Sequence, residues 1–402
     1  LDLALVMCPG WGVVQPPVGI SYLKGFLRSY GIAVKCFDLS LELYKAFPEK
    51  RYWDLNYPES FIVPGLFDKN ILPGLEPFVN TWAQQILNHN PKIVGFSLFM
   101  SSINTSLHLA RRLKAIRPDL IIIGGGPEVT RIKRVLVDGI GGFASLNKEA
   151  LSGNIFDILV DGEGEETLLE VLLLNKQGYD FHNVEGTLYK NNDRLVVNKP
   201  RGLIGDLDIL PPADYFDFEL ESYTRESLPL VTSRGCINRC TFCADSPLWK
   251  TYRYRSPREV LKEIEILVQQ YGRRIFEIVD STFNGDIQRV GQICDLIIES
   301  KLSIKWSAKV TLRKEMSYEL LKKMKRAGCS SLAYGIESGS PDVLKDMRKN
   351  IDLDEAKRIL RDTWRAGIQA NCFFIIGYPA EREEDFQKTL NFIQENVEFI
   401  HR

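Results

Sequence analysis

The 402-residue chain lacks net charge: 51 Lys and Arg against 52 Asp and Glu leave a formal −1. No global field therefore draws it to nucleic acid or to an anionic membrane surface. It also lacks any apolar run near the about 18 residues needed to span a bilayer. The opening "LDLALVMCPG" has no basic leader and runs into Pro and Gly, so it reads as a first β-strand and not a signal peptide. It has no initiating Met, which raises the expectation of a longer chain. Cysteine is sparse, 8 in all, too few for a disulfide scaffold. Histidine is sparser, with residues at 89, 108, 182 and 401 only. Apolar residues at 45% and charged residues at 26% are ordinary for a globular protein, and the length suits two or three domains.

What is present is alternation. In the first third, "LALVM" (3–7), "IAVKCFDL" (32–39), "IVGFSLF" (93–99), "LIIIGG" (120–125) and "FDILVDG" (156–162) read as strands. Residues 19–31, 106–118 and 164–178 carry helical spacing between them. Strand–helix alternation predicts a parallel sheet, with ligands taken beyond the carboxyl ends of its strands. Glycines collect at those ends, in "CPGWG" (8–12), "GGGPE" (124–128) and "DGEGEET" (161–167). Turn chemistry accounts for any one of them; three on one rim favour a ligand site.

Residues 178–227 read as a connector, with a small hairpin turning at Asn191–Asp193 and then "LPPADYFDFELESY". From 228 the alternation restarts. Strands are expected at 228–233, 275–281, 304–310, 331–338 and 370–379, with "VEFI" (397–400) opening a sixth. The fold class is therefore α/β: a Rossmann-like domain over 1–177, a linker over 178–227, and a partial (β/α)6 barrel over 228–402 that stops short. Chemistry in such barrels gathers at the carboxyl ends of the strands.

"SRGCINRCTFC" (233–243) stands just past the first of these strands, with Cys236, Cys240 and Cys243 spaced C-x3-C-x2-C. A closed structural zinc site takes four ligands, usually as two separated pairs, and no second pair or nearby His exists here. An iron–sulfur cube also takes four, so three thiolates leave one iron open for a substrate or cofactor. Cys8, Cys36, Cys294, Cys329 and Cys372 are scattered in mostly apolar stretches and read as buried free thiols in a reducing compartment. "KTYRYRSPR" (250–258) mixes basic and aromatic residues; a polyanion contact and a plain loop leading into a helix both fit it.

The cysteine motif after a first barrel strand resembles the radical S-adenosylmethionine (SAM) superfamily. The resemblance continues through "YRYRSPREVLKEIEIL" (252–267), "FEIVDSTF" (276–283), "GIESGSPDVLKDMRK" (335–349) and "FFIIGYPAEREEDF" (373–386). The first third resembles the cobalamin-binding domain fused to many members, in "PPVGISYLKGFLRSYG" (16–31), "GGGPE" and "DGEGEETLLE". The resemblance implies a [4Fe–4S] cluster on the three cysteines, with SAM chelating the open iron and cleaved to a 5′-deoxyadenosyl radical. It implies SAM contacts from Phe242, Asp280, Ser281, Glu337, Lys349 and Ile375. The plainer alternatives are a strand-end cap for Glu337, a solvated helix charge for Lys349 and a helix N-cap for Asp280.

For cobalamin, the resemblance implies contacts from Gly10, Gly12, Ser97, Ser101, Gly125, Gly126, Pro127, Glu163 and Gly164. The D-x-H-x-x-G signature that brings a histidine to cobalt is absent, and "CPGWGVVQPP" stands in its place. Binding without a histidine ligand and a corrinoid-free scaffold are both open on this point. The implied enzyme is a cytoplasmic, oxygen-sensitive methylase of an unactivated carbon in a small-molecule or natural-product substrate. It would be fed electrons by a carrier such as flavodoxin or ferredoxin, with no membrane span and no nucleic-acid partner. The alternatives are a radical oxidative cyclase or ring-rearranging enzyme, a tRNA methylthiotransferase, and a non-catalytic corrinoid sensor.

Overall fold

The computed structural model describes residues 1–47, 50–53, 59–137, 155–192, 194–249 and 251–401. It divides into two compact units, Leu1–Ile204 with Leu210–Glu226, and Gly205–Ile209 with Ser227–Arg402. Among the described residues no helix is long and apolar enough to cross a membrane.

The first unit is built on β1 (Leu3–Met7), β2 (Val34–Asp38), β3 (Ile93–Ser97), β4 (Ile121–Gly125), β5 (Ile158–Val160), β6 (Thr187–Asn191) and β7 (Arg194–Val197). They form one sheet in the order β2-β1-β3-β4-β5-β6-β7. The first five run parallel. β1, β3 and β4 are buried along nearly their whole length, which is why they read as unbroken apolar runs and not as alternating ones. The expected hairpin exists, but it pairs antiparallel with β5 and extends this sheet. Its turn at Asn191–Asp193 lies partly outside the described residues.

Four α-helices lie between β2 and β3 among the described residues: Leu39–Ala46, Glu59–Ile62, Pro64–Asn70 and Leu72–Asn88. They bring Phe67, Leu75, Trp82 and Ile86 into one core with Ala4, Val6, Val94 and Phe96 of the sheet. The chain runs from β1 to β2 on one side and returns to β3 on the other, so the strand order reverses between β1 and β3. A crevice at such a reversal is where open parallel sheets take ligands.

The second unit holds β8 (Leu228–Leu230), β9 (Ser233–Arg234), β10 (Arg253–Tyr254), β11 (Ile275–Ile278), β12 (Lys305–Val310), β13 (Cys329–Glu337) and β14 (Gln369–Phe374). β8, β11, β12, β13 and β14 form a parallel sheet in that sequential order, with helices between them. The expected sixth strand is not formed over 397–400. Val397–Phe399 is a turn in which the Phe399 N–H donates to Asn396 O at 2.9 Å, and "VEFI" is too short an apolar run to resist it. Pairing on the β14 edge starts only at His401, whose N–H donates to Ala370 O at 2.7 Å.

The basic–aromatic stretch after the cysteines is used internally. Arg253–Tyr254 is β10, Ser256 caps the helix Pro257–Tyr271 by accepting from the Glu259 N–H, and Tyr254 lies under the Arg289 guanidinium at 5.1 Å. Arg255 is 1% exposed and paired to the wholly buried Glu263. Two charges taken from water hold only as a pair, so removing one strands the other. Glu263→Ala should therefore lower unfolding stability by about 3–5 kcal/mol in denaturant titration. A change below about 1 kcal/mol would show that Arg255 finds water instead.

Candidate active site

Cys236, Cys240 and Cys243 lie on a loop whose two ends are stapled together. β9 and β10 pair antiparallel, Arg234 with Arg253 and Ser233 with Tyr254, so residues 235–252 leave and rejoin at one point. Gly235 makes the pinch feasible: its φ is +86°, and a Cβ there would sit 2.2 Å from the Thr251 carbonyl oxygen. All three cysteines are half-buried. Within the loop, the Asn238 N–H points at Cys236 Sγ at 3.4 Å and the Cys243 N–H donates to Cys240 O. Thr241 ties the loop outward, through its N–H to Met347 O at 3.0 Å and its hydroxyl to the Tyr378 hydroxyl at 2.9 Å.

Asp280 fixes the strand end that feeds this loop. It is 2% exposed and accepts from the Thr232 N–H at 2.7 Å, the Thr232 hydroxyl at 2.6 Å and the Ser233 hydroxyl at 2.7 Å. The Arg289 guanidinium donates to Thr232 O and Arg255 O on the same chain segment. Asp280 is not a helix N-cap; that place belongs to Asp286 of the following helix. Burial raises the Asp280 carboxyl, while Arg289 and the donated hydrogen bonds oppose the rise. Ser281, next along, donates to Asp245 Oδ2 at 2.9 Å.

Glu337 and Lys349 come together across 12 residues. Their side chains are each 10% exposed and form an ion pair at 2.9 Å. Lys349 is thus not a solvated helix charge, and the Glu337 carboxylate is taken by Lys349. Glu337 has φ +71°, in a region that a non-glycine residue occupies only under strain, at a register shift between β13 and β14. Gly335 lies beneath the pair, since a Cβ there would meet Glu337 Oε1 at 2.3 Å and Lys349 Nζ at 3.0 Å. The Ile375 N–H donates to Glu337 O at 2.8 Å, which spends the only donor that its backbone has. The Phe242 ring is 39% exposed on the cysteine loop. Burial pushes the Cys236 and Cys240 thiols up, and the Lys349 ammonium draws both back, which puts the ion pair within electrostatic reach of the thiols. Among the described residues no three His, Cys, Asp or Glu side chains converge as ligands of one metal ion.

In the first unit the loops after β1, β3, β4 and β5 leave one edge of the sheet. Gly10 and Gly126 are held at φ +101° and +106°; a Cβ on Gly10 would lie 2.0 Å from Ser101 O, and one on Gly126 2.8 Å from Leu98 O. Ser97 and Gly125 end β3 and β4, and Pro127 starts the helix Pro127–Leu136. Gly12 has nothing within 4 Å of its missing Cβ. Glu163 is buried and accepts from the Ile204 N–H at 2.7 Å, and Gly164 precedes the helix Glu165–Gln177. At the strand-order reversal the Trp11 and Phe99 rings pack at a tilt of 39° with centroids 4.2 Å apart, beside Met100 at 41% exposure. Sequence reasoning passed over this apolar platform, although aromatic residues in loops at strand ends were a visible sign of it. Tyr378 and Thr232 were missed as well, because their partners are distant in sequence.

Residues 230–393 match the family model described as the Radical SAM superfamily. They are a radical SAM domain. Over 314 residues, 77% of this chain, the protein is 29% identical to an uncharacterised methyltransferase of Pyrococcus horikoshii. Over 94% of the chain it is 25% identical to the cytidylyl-2-hydroxyethylphosphonate methyltransferase of Streptomyces wedmorensis. Over 76% it is 28% identical to the anaerobic magnesium-protoporphyrin IX monomethyl ester cyclase of Rubrivivax gelatinosus. The chain spans 65%, 73% and 54% of those relatives' lengths. Among solved structures, the cobalamin-dependent SAM radical enzyme OxsB with aqua-cobalamin bound shares the fold of both units, at a TM-score of 0.75 and 19% identity. That match covers 98% of this chain and 52% of OxsB.

The cysteines outside the radical SAM domain's loop are shielded. Cys8, Cys36, Cys294 and Cys329 are at most 2% exposed. Burial pushes Cys8, Cys294 and the half-buried Cys372 up to about 12, and Cys36 and Cys329 well above their ordinary value. Iodoacetamide at pH 8 should therefore modify Cys236, Cys240 and Cys243 of the metal-free native protein first. Cys8, Cys36, Cys294 and Cys329 should react only after unfolding. Peptide mapping reads the order, and early labelling of Cys8 or Cys329 would contradict the packing.

Proposed function

We propose that this protein is a cobalamin-dependent radical SAM enzyme that methylates an unactivated carbon, holding a [4Fe–4S] cluster on Cys236, Cys240 and Cys243. The observation that carries the reading is the stapled loop: three half-buried thiols past the carboxyl end of β8, tied through Thr241 to Met347, two residues before the buried Lys349–Glu337 pair. That donor set fits a cluster with one open iron better than a closed structural metal site. A cluster there supplies the electron that cleaves SAM. A corrinoid on the first unit's rim would supply the methyl group.

The chain's own residues divide that work. Lys349 offers an ammonium to the SAM carboxylate, Glu337 an acceptor to the ribose hydroxyls, and Phe242 an exposed ring to the adenine. Ile375 contributes its side chain and its hold on the Glu337 backbone. Asp280, with its oxygens already engaged by Thr232 and Ser233, is a positioning residue, and Ser281 acts through Asp245. On the first unit, Trp11, Phe99 and Met100 give a corrinoid face an apolar floor. The strained turns at Gly10 and Gly126, with Ser97, Ser101, Gly125, Pro127 and Gly164, bring backbone to its edge. Glu163 braces the rim from below through Ile204. No His or Asp stands in "CPGWGVVQPP", so cobalt would be held without a protein ligand there.

Two methyltransferases among the relatives support methylation, and the cyclase supports oxidative cyclisation as the second reading. Methylthiolation would need a second set of three cysteines in the first unit, where only the buried Cys8 and Cys36 stand. A cytoplasmic setting and a flavodoxin- or ferredoxin-like electron donor follow from a reducible cluster. The test is anaerobic reconstitution with iron, sulfide and cobalamin, then incubation with SAM, reductant and candidate substrates. Methylation yields S-adenosylhomocysteine and 5′-deoxyadenosine in similar amounts. Deoxyadenosine alone points to the cyclase, and corrinoid binding with neither product points to a sensor.

A further inference from the structure

The sheet of the second unit has two unlike faces. Alternation along β12 and β13 buries Trp306, Ala308, Leu332 and Tyr334 on one face, where the Tyr334 hydroxyl meets Thr363 of the helix Leu353–Arg365 at 2.8 Å. Ser307, Lys309, Ser331 and Ala333 lie on the other. Strand register puts Glu277, Ser307 and Ser331 in one row of that second face, and Lys309, Ala333 and Asn371 in the next. Closed parallel barrels fill this face with Val, Ile and Leu. Here it is small and polar, and the Glu337–Lys349 pair stands over Gly335 at its upper end.

Asn371 shows what such a face is for. Its Nδ2 donates to Ser331 Oγ at 3.1 Å, while its Oδ1 is buried with no hydrogen-bond partner among the described residues. A buried amide oxygen without a donor is a standing cost to folding, and native proteins rarely keep one without a use. Lys309, in the same row, is exposed and has no ion pair among the described residues. Two strand spacings, about 10 Å, separate their Cα positions, a gap that the two side chains narrow enough for one small molecule to touch both.

We propose that this face binds the substrate and that Asn371 sets its specificity. Oδ1 accepts a hydrogen bond from an N–H or O–H of a small molecule whose anionic group meets Lys309. The proposal rests on the radical SAM reading only in calling that occupant a substrate.

The test uses the metal-free full chain and three probes followed by saturation-transfer NMR. N-acetylglycine carries both groups, N-acetylsarcosine lacks the N–H, and N-acetylglycinamide lacks the charge. Wild type should bind N-acetylglycine about tenfold more tightly than either analogue. Asn371→Leu should lose that preference while its melting temperature holds or rises by about 2–4 °C, because the orphaned oxygen is gone. Lys309→Gln should keep the melting temperature and bind N-acetylglycine no better than N-acetylglycinamide. A lower melting temperature for Asn371→Leu overturns the assignment and gives Asn371 to protein packing. Equal binding of N-acetylglycine and N-acetylsarcosine, or no binding of either, overturns it too and leaves the face to be covered by protein. Deoxyadenosine formation by reconstituted wild type is scored apart: its absence beside intact N-acetylglycine binding counts against the radical reading alone.

Discussion

The second unit of this protein depends on one buried carboxylate. Asp280 accepts three hydrogen bonds from Thr232 and Ser233, and those two residues carry the chain from β8 into the cysteine loop. Taking a carboxylate out of water is costly unless its lone pairs are filled and a countercharge stands near. Here the backbone N–H and two hydroxyls fill them, and Arg289 stands near while binding the carbonyls of Thr232 and Arg255. The same group of atoms therefore aligns β8, the β9–β10 staple and the start of the helix after the loop. A flexible loop of 18 residues bearing three thiols would lose much entropy on gathering them around any metal group. Pinning its ends in advance removes part of that loss.

How much of this was legible in the sequence follows from the range of each interaction. Parallel strands buried on both faces leave continuous apolar runs, so β1, β3 and β4 stood out within a residue or two. The strands of the second sheet were found but mostly overrun at their carboxyl ends, by five residues at β14. The cysteine spacing was equally plain, because its meaning lies within eight positions. The helices at 59–88 were not read, since Pro64, Pro73, Gly74 and Pro77 punctuate them like loops. Pro64 and Pro73 sit harmlessly in first turns, and Pro77 is the true exception inside its helix. The hairpin was found but not its attachment, because antiparallel pairing to β5 depends on an edge that only the folded sheet provides. The hold of Asp280 on the strand end was not legible, because its partners lie 47 and 48 residues away.

Both units obey one rule and apply it to different chemistry. Each is built on parallel strands whose following loops leave their carboxyl ends, where backbone groups and helix starts are unpaired. The first unit spends that edge on strained glycine turns and an aromatic floor, with hardly a charged side chain free to act. Of its buried acids on the rim, Glu163 is committed to Ile204 and Glu128 to Arg131. The second unit puts thiols, an ion pair and hydroxyls at the same place. An apolar, backbone-lined rim suits a large flat group held by shape, and a rim of thiols and charges suits a metal group and a zwitterion.

The Glu337–Lys349 pair is the most exchangeable contact on the second rim. A buried ion pair gives little net stability, because attraction roughly repays desolvation. Glu337 also adopts a backbone conformation that a side chain makes expensive. A pair that costs about as much as it returns is easily exchanged for a better one. A ligand presenting a carboxylate to Lys349 and hydroxyls to Glu337 replaces one salt bridge by two satisfied contacts without stranding either charge. Lys349 also lies close enough to draw down the Cys236 and Cys240 thiols. Whatever engages that ammonium therefore also changes the field at those two thiols.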